Sequence, residues 1–66
     1  MKNKLKIQRA IHDMTQAELA EKIGVSRQSI NAIEKNKYVP STVLALKIAQ
    51  LFKVTVEDIF ELEGNE

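Results

Sequence analysis

Sixty-six residues leave room for one domain, and at this size a single hydrophobic core rarely supplies more than about 3–5 kcal/mol of net stability. The chain has no cysteine and one histidine, His12, which excludes disulfides, thiolate or imidazole metal clusters, and Ser-His-Asp or Cys-His catalysis. The formal charge of +1 conceals an asymmetry: residues 1–53 hold ten basic and four acidic side chains (net +6), whereas residues 54–66 hold five acids and no base (net −5).

A basic body with an acidic tail suits a body that meets a polyanion and a tail that faces away. A solvated surface with chance clustering explains the same charges equally well. With disulfides and metals excluded, association with another chain is the reinforcement left to so small a core.

The opening MKNKLKIQRA interrupts its apolar residues with lysines and reads as neither signal peptide nor membrane span, so a cytoplasmic protein is expected. Lys4 to His12 forms the first expected helix, with Leu5, Ile7 and Ile11 on a loosely amphipathic stretch. Thr15-Gln16-Ala17-Glu18 has the capping-box form, in which the hydroxyl accepts an orphan amide and the glutamate reaches back. The helix it opens runs from Gln16 to Ile23 with Leu19, Ala20 and Ile23 inward, and Gly24 follows where the chain must turn left-handed.

Ser26 caps a third helix reaching about Lys35, with Ile30 and Ile33 inward. Residues 36–40 form a loop, because Pro40 disfavours helix at the residue before it. Ser41 caps a fourth helix through Phe52, whose apolar set Leu44, Ala45, Ile48, Ala49, Leu51 and Phe52 has helical spacing. Thr55-Val56-Glu57-Asp58 caps a short fifth helix ending near Phe60. The expected fold is all-α, a compact five-helix bundle. Only the edges, Met1 to Asn3 and Phe60 to Glu63, can add a two-stranded β patch.

The informative segment is Gln16 to Lys35. Two helices meeting steeply across a short turn need a small residue at their closest approach, and Ala20 supplies it. They also need a residue tolerant of positive φ, and Gly24 stands four positions later. Leu19 and Ile23 before the turn, with Val25, Ile30 and Ile33 after it, can lock the angle. Beyond this segment the chain carries MTQAELA (Met14 to Ala20), GVSRQSI (Gly24 to Ile30), IEKNKYVPS (Ile33 to Ser41), LALKIA (Leu44 to Ala49) and VEDIF (Val56 to Phe60). In these pieces, taken in order over nearly its whole length, it resembles the Cro/phage-repressor class of helix-turn-helix proteins, and within it the small stand-alone regulators.

The resemblance implies a single DNA-binding domain over residues 1–66 and double-stranded DNA as partner. Gln16 matches the position at the start of the second helix that holds a phosphate. Ser26, Arg27 and Gln28 match the first exposed positions of the recognition helix, which enter the major groove. Arg27 can donate two bonds to guanine O6 and N7, and Gln28 can pair with adenine N6 and N7. Asn31 and Ala32 are expected one turn further along the same exposed side, with the Ala32 methyl facing a thymine methyl where some relatives carry a polar residue. Lys35, Asn36 and Lys37 match the helix end and loop that clamp the backbone, and Tyr38 is placed to reach a phosphate.

Plainer roles stand beside these. Gln16 can be a solvent-facing first-turn residue, Ser26 is a helix cap in any case, and Tyr38 can pack half-buried. Relatives join an arginine on the first helix to a glutamate near the end of the recognition helix. Arg9 and Glu34 match those positions as a structural salt bridge that neutralises Glu34 before the phosphates.

The function expected from the resemblance is transcriptional regulation, with repression the commoner mode, at a palindromic operator. Rival readings are an antitoxin-type module and a protein–protein adaptor that kept the fold. No catalytic residues, cofactor, metal or small-molecule site is expected. Val54, Val56, Ile59, Phe60 and Leu62 give an apolar surplus after the fourth helix. Residues 54–66 are therefore expected to serve homodimerisation as well, through Phe60 and Leu62 with Ile59 assisting. The alternative is that all five close the monomer core.

Overall fold

The helices begin where a hydroxyl can take up an orphan amide. A computed structural model describes residues 1–66 and places α1 at Leu5–Ile11, α2 at Gln16–Ile23, α3 at Arg27–Glu34, α4 at Thr42–Phe52 and α5 at Val56–Ile59. Short strands flank them, β1 at Lys2–Asn3 and β2 at Phe60–Glu61. Before α2, the Thr15 hydroxyl accepts from the Glu18 amide at 3.0 Å, and the Glu18 carboxylate accepts from the Thr15 amide at 3.0 Å. Thr55 and Asp58 repeat this reciprocal pair before α5 at 3.2 and 2.9 Å. Ser26 and Ser41 cap α3 and α4, each accepting one amide at 3.1 Å. Such caps contribute about 1 kcal/mol each, and they set the boundaries of the short helices.

α1 is the exception. Lys4 precedes it without a side-chain cap, and the first amide of the helix, that of Leu5, donates instead to the Asn3 carboxamide oxygen at 3.1 Å.

Other helices end on left-handed residues. Gly24 closes α2 at φ +78°, and the amides of both Gly24 and Val25 return to the Ala20 carbonyl at 2.9 and 3.0 Å. A Cβ at Gly24 would meet nothing within 4 Å, so its backbone angle, and not space, is what calls for glycine. Asp13, Asn36 and Lys53 adopt positive φ after α1, α3 and α4 without being glycine.

The core draws on every helix: Leu5 from α1, Leu19, Ala20 and Ile23 from α2, Ile30 and Ile33 from α3, four residues from α4, Ile59 from α5 and Phe60 from β2. Every core residue is apolar. β1 and β2 pair antiparallel, with Lys2 opposite Glu61 and Asn3 opposite Phe60. This ribbon is the β patch expected at the chain edges. The Met1 ammonium lies 3.2 Å from Glu63 and 3.0 Å from Glu66, drawing the acidic tail against the ribbon. Those contacts hold the ammonium's pKa above its usual value, chiefly through the hydrogen bond to Glu66.

The loosely amphipathic first helix resolves unevenly, and one expectation needs correction. Of Leu5, Ile7 and Ile11 in α1, only Leu5 is buried, while Ile7 and Ile11 are exposed. At about 100° per residue, Leu5 and Ile7 point to opposite sides of the helix. The half-buried positions of α1 are Gln8 and Arg9, and just beyond the helix the exposed His12 ring lies 4.8 Å from that of Phe52.

The expectation to correct concerns the apolar surplus. Ile59 is 1 % exposed and Phe60 7 %, so both close this chain's own core, and Ile59 has no surface left for a partner. The ribbon explains this, since pairing of β2 with β1 turns Phe60 inward. Leu62, 71 % exposed, alone of the three lies open.

Candidate nucleic-acid interface

α3 divides by face. Ile30 and Ile33 are buried, which turns Arg27 and Gln28 outward at the start of the helix beside the exposed cap Ser26. The Ser26 hydroxyl also lies 3.0 Å from that of Ser29. Asn31 and Ala32 are half-buried, so the second turn of α3 is less open than the first.

Asn31 belongs to a polar relay across three helices. The Gln16 carboxamide nitrogen donates to the Asn31 side-chain oxygen at 3.3 Å and to a Glu34 carboxylate oxygen at 3.1 Å. Glu34 in turn takes a forked pair from Arg9, Nε at 2.5 Å and Nη2 at 3.0 Å, and the remaining Arg9 nitrogen donates to the Met14 carbonyl at 2.9 Å. The Arg9 and Glu34 side chains are only 14 % and 7 % exposed. Burial alone would push the Glu34 carboxyl up. Hydrogen bonds from Arg9 and Gln16, with the charges of Arg9 and Lys6, outweigh it and hold Glu34 below its ordinary value. Donating to the Glu34 carboxylate raises Arg9 in return, against the opposing effect of burial. Both stay ionised, and the carboxylate's charge is spent inside the protein.

Four residues expected at a phosphate backbone, Gln16 apart, stand together at the end of α3. Lys35 ends the helix, and the amides of Asn36 and Lys37 fold back to the carbonyls of Ile33 at 3.0 Å and Ala32 at 2.9 Å. This is the Schellman arrangement, with Asn36 as its left-handed residue at φ +59°. It leaves the Lys35, Asn36, Lys37 and Tyr38 side chains exposed. Tyr38 borders a shallow hollow with Gly24, Val25, Ser41 and Lys47.

Two residues here escaped sequence reasoning. Lys47 adds a cation to that hollow, yet on the sequence it reads only as a polar position of α4. Asn3 contributes a side chain to the end of α3, donating to the Ile33 carbonyl at 2.7 Å and to the Asn36 side-chain oxygen at 3.0 Å. Those partners stand 30 and 33 positions away, so no local pattern could reveal them.

No group of three or more His, Cys, Asp or Glu side chains is placed to hold a metal ion. No helix is long and apolar enough to cross a membrane.

Ala20 buried on α2, Gly24 left-handed in the turn and an α3 that exposes Arg27 and Gln28 together form a helix-turn-helix, and residues 5–59 match the family model described as helix-turn-helix. The chain belongs to the helix-turn-helix family. This helix-turn-helix protein is 62 % identical, over the full length of both chains, to an uncharacterized HTH-type transcriptional regulator of Methanocaldococcus jannaschii. It is 52 % identical over 96 % of both chains to an uncharacterized HTH-type transcriptional regulator of Bacillus subtilis. Among solved structures, a candidate DNA-binding protein from Bacteroides fragilis superposes with a TM-score of 0.79 at 31 % identity, covering 88 % of this chain and 94 % of the other.

Proposed function

We propose that this protein is a sequence-specific transcriptional regulator that binds double-stranded DNA in the cytoplasm, as a homodimer repressing from a palindromic operator. Its relatives are HTH-type transcriptional regulators, a family that is not enzymatic, which supports the general reading. The observation that carries the specific one is the exposure of Arg27 and Gln28 at the start of an α3 braced from behind by Arg9, Glu34 and Gln16. A reading helix must present base-matching donors and acceptors and must not shift when it meets the groove.

In this reading Arg27 takes guanine and Gln28 takes adenine, with Ser26 at the groove edge. Asn31 keeps its amide hydrogens for a base while its oxygen serves Gln16, and Ala32 offers a methyl. Lys35, Asn36, Lys37 and Tyr38 follow the phosphates. Both hydrogens of the Gln16 carboxamide are engaged, so the backbone amide at the start of α2 is the donor left for a phosphate.

The dimer reading rests on an open apolar groove bordered by Met1, Val39, Ala45, Leu46, Val56 and Phe60, together with the exposed Leu62. A second copy seated there would bury apolar surface that a chain this small can hardly spare. Two-fold pairing would set the recognition helices about one DNA turn apart, roughly 34–36 Å.

Selection of bound duplexes from a random pool tests the reading. A palindromic motif with half-sites one turn apart is expected. No enrichment would end the claim of sequence specificity, and a single unrepeated half-site bound by a monomer would end the claim of a dimer.

A further inference from the structure

Asn3 makes more structural contacts than any other polar side chain outside the Arg9–Glu34 relay. Its oxygen accepts the first amide of α1, and its nitrogen gives one hydrogen to the Ile33 carbonyl and the other to the Asn36 side chain. Its backbone is fixed independently, because Asn3 pairs with Phe60 in the ribbon and the next amide, that of Lys4, donates to the Ile59 carbonyl at 2.7 Å. The side chain is thus held at its base by the ribbon and reaches a fixed point at the far end of α3.

What it reaches is the turn that aims the lysines. The Ile33 carbonyl already accepts the Asn36 amide, so Asn3 adds a second donor to the same oxygen, filling both of its lone-pair directions. Asn36 occupies a left-handed conformation that is strained for a residue with a Cβ. A hydrogen bond to its side chain is one way to hold it there. The exposed Lys35 and Lys37 leave the chain on either side of Asn36, and their directions follow from that turn.

We propose that Asn3 is a positioning residue for DNA binding: from the β1–β2 ribbon it fixes the exit of the recognition helix, and so sets where Lys35 and Lys37 meet the phosphates. The proposal rests on the reading of those lysines as backbone contacts, and deepens it by making the ribbon part of the binding apparatus. Asn3 itself need not touch DNA.

The test uses Asn3→Ala, Lys37→Ala and their combination in the full chain, with amide hydrogen exchange beside duplex binding. In Asn3→Ala the Asn36 and Lys37 amides should exchange faster by a larger factor than core amides such as that of Ile48. Binding to operator and random duplexes should weaken about tenfold, the scale of one charged hydrogen bond. Because Asn3→Ala acts partly through Lys37 and partly through Lys35, the double variant should bind weaker than Lys37→Ala alone, but by less than the tenfold that Asn3→Ala costs the parent.

Three results would each overturn the proposal: exchange at Asn36 and Lys37 rising only in step with the core, affinity of the folded protein unchanged, or losses that multiply in the double variant. If Lys37→Ala alone binds like the parent, it is the phosphate reading of Lys37 that fails. The cycle is then run with Lys35→Ala, while exchange at Asn36 decides whether Asn3 holds the turn. Should Asn3→Ala not fold, Asn36→Gly removes one of the two bonds that Asn3 makes at the end of α3 and keeps the left-handed turn. Because Asn36 is itself read as a phosphate contact, the readout for this variant is exchange at the Lys37 amide, which should quicken by a larger factor than at core amides, and exchange rising only in step with the core would overturn the proposal.

Discussion

The helix-turn-helix half of the molecule and its terminal half are held in different ways. α2 and α3 join through buried apolar side chains across a turn of a few residues, and each is started by a hydroxyl within its own first turn. The ribbon, the start of α1 and the acidic tail are joined by polar contacts between distant parts of the chain: Asn3 with Ile33 and Asn36, Lys4 with Ile59, Met1 with Glu63 and Glu66. Apolar burial tolerates changes of pH and salt, and exposed ion pairs do not. α3 is therefore built on an apolar junction, apart from the Arg9–Glu34 pair behind it, and its far end is tied to the ribbon by neutral hydrogen bonds, whereas the acidic tail is held by ion pairs.

The strongest way to break this contrast is to open the apolar junction. Ile30→Ala, at a fully enclosed position, should cost about 2–5 kcal/mol, comparable with the whole stability of a domain this size. Denaturant unfolding measures it. A loss under about 1 kcal/mol would mean that the junction collapses around the gap and is not the rigid half described.

Next in size is the relay behind α3. Removing Arg9 leaves the Glu34 carboxylate largely buried without its partner, and Arg9→Ala should cost on the order of 2–4 kcal/mol at neutral pH, discounted from the value for a fully buried pair. The pH dependence has a definite sign. Because Glu34 is held below its ordinary value in the folded protein, its contribution is present above the unfolded carboxyl's pKa, about 4.3, and is lost as pH falls through the lowered folded-state value. In Glu34→Gln this part of the acid limb should vanish from urea melts taken between neutral and acid pH. An unaltered limb would assign acid sensitivity to other carboxylates, Glu18 and Asp58 in their capping boxes first.

DNA binding sharpens the contrast between the two ends of α3. Arg27→Ala should lose about 1–3 kcal/mol of discrimination at one or two base pairs. Lys37→Ala should weaken all duplexes alike and flatten the salt dependence by about one unit of slope. Equal losses on specific and random DNA from both would remove the division into a reading start and a clamping end.

The smallest effect belongs to the turn. Gly24→Ala should cost about 1–2 kcal/mol, entirely from the left-handed backbone, since the added methyl meets open space. Gly24→Asn should cost less, and thermal melts of the two variants would show the order. A larger loss on alanine would point to a steric neighbour at the turn.

The same contrast decides what could be read from the residues alone. Thr15, Ser26, Ser41 and Thr55 were legible because a cap acts within three residues of itself. Gly24 was legible because few residues tolerate its φ. Arg9 and Glu34 came from family resemblance, since nothing in their spacing links them across 25 positions. The first helix was legible only as loosely amphipathic, since Leu5 shares its buried side with polar Gln8 and Arg9 while Ile7 and Ile11 face out. The fate of Ile59 and Phe60 depended on a strand at the opposite end of the chain, and counting apolar residues could not show which of five would fit inside. Asn3 and Lys47 gave no signal, as their surroundings exist only after folding.

The left-handed residues that follow α1, α3 and α4 carry a practical consequence. Asp13, Asn36 and Lys53 each occupy a conformation in which glycine would be unstrained, so the protein runs below the stability its own backbone permits. Asp13→Gly and Lys53→Gly are natural routes to a more heat-tolerant form, gained by relieving strain without adding a contact. Asn36 is the exception among the three, because its side chain is engaged by Asn3. There the same exchange would trade Asn3's hold on the turn after α3 for thermal resistance, which on the proposed reading marks it as the helix end where evolution toward heat and selection for tight binding pull apart.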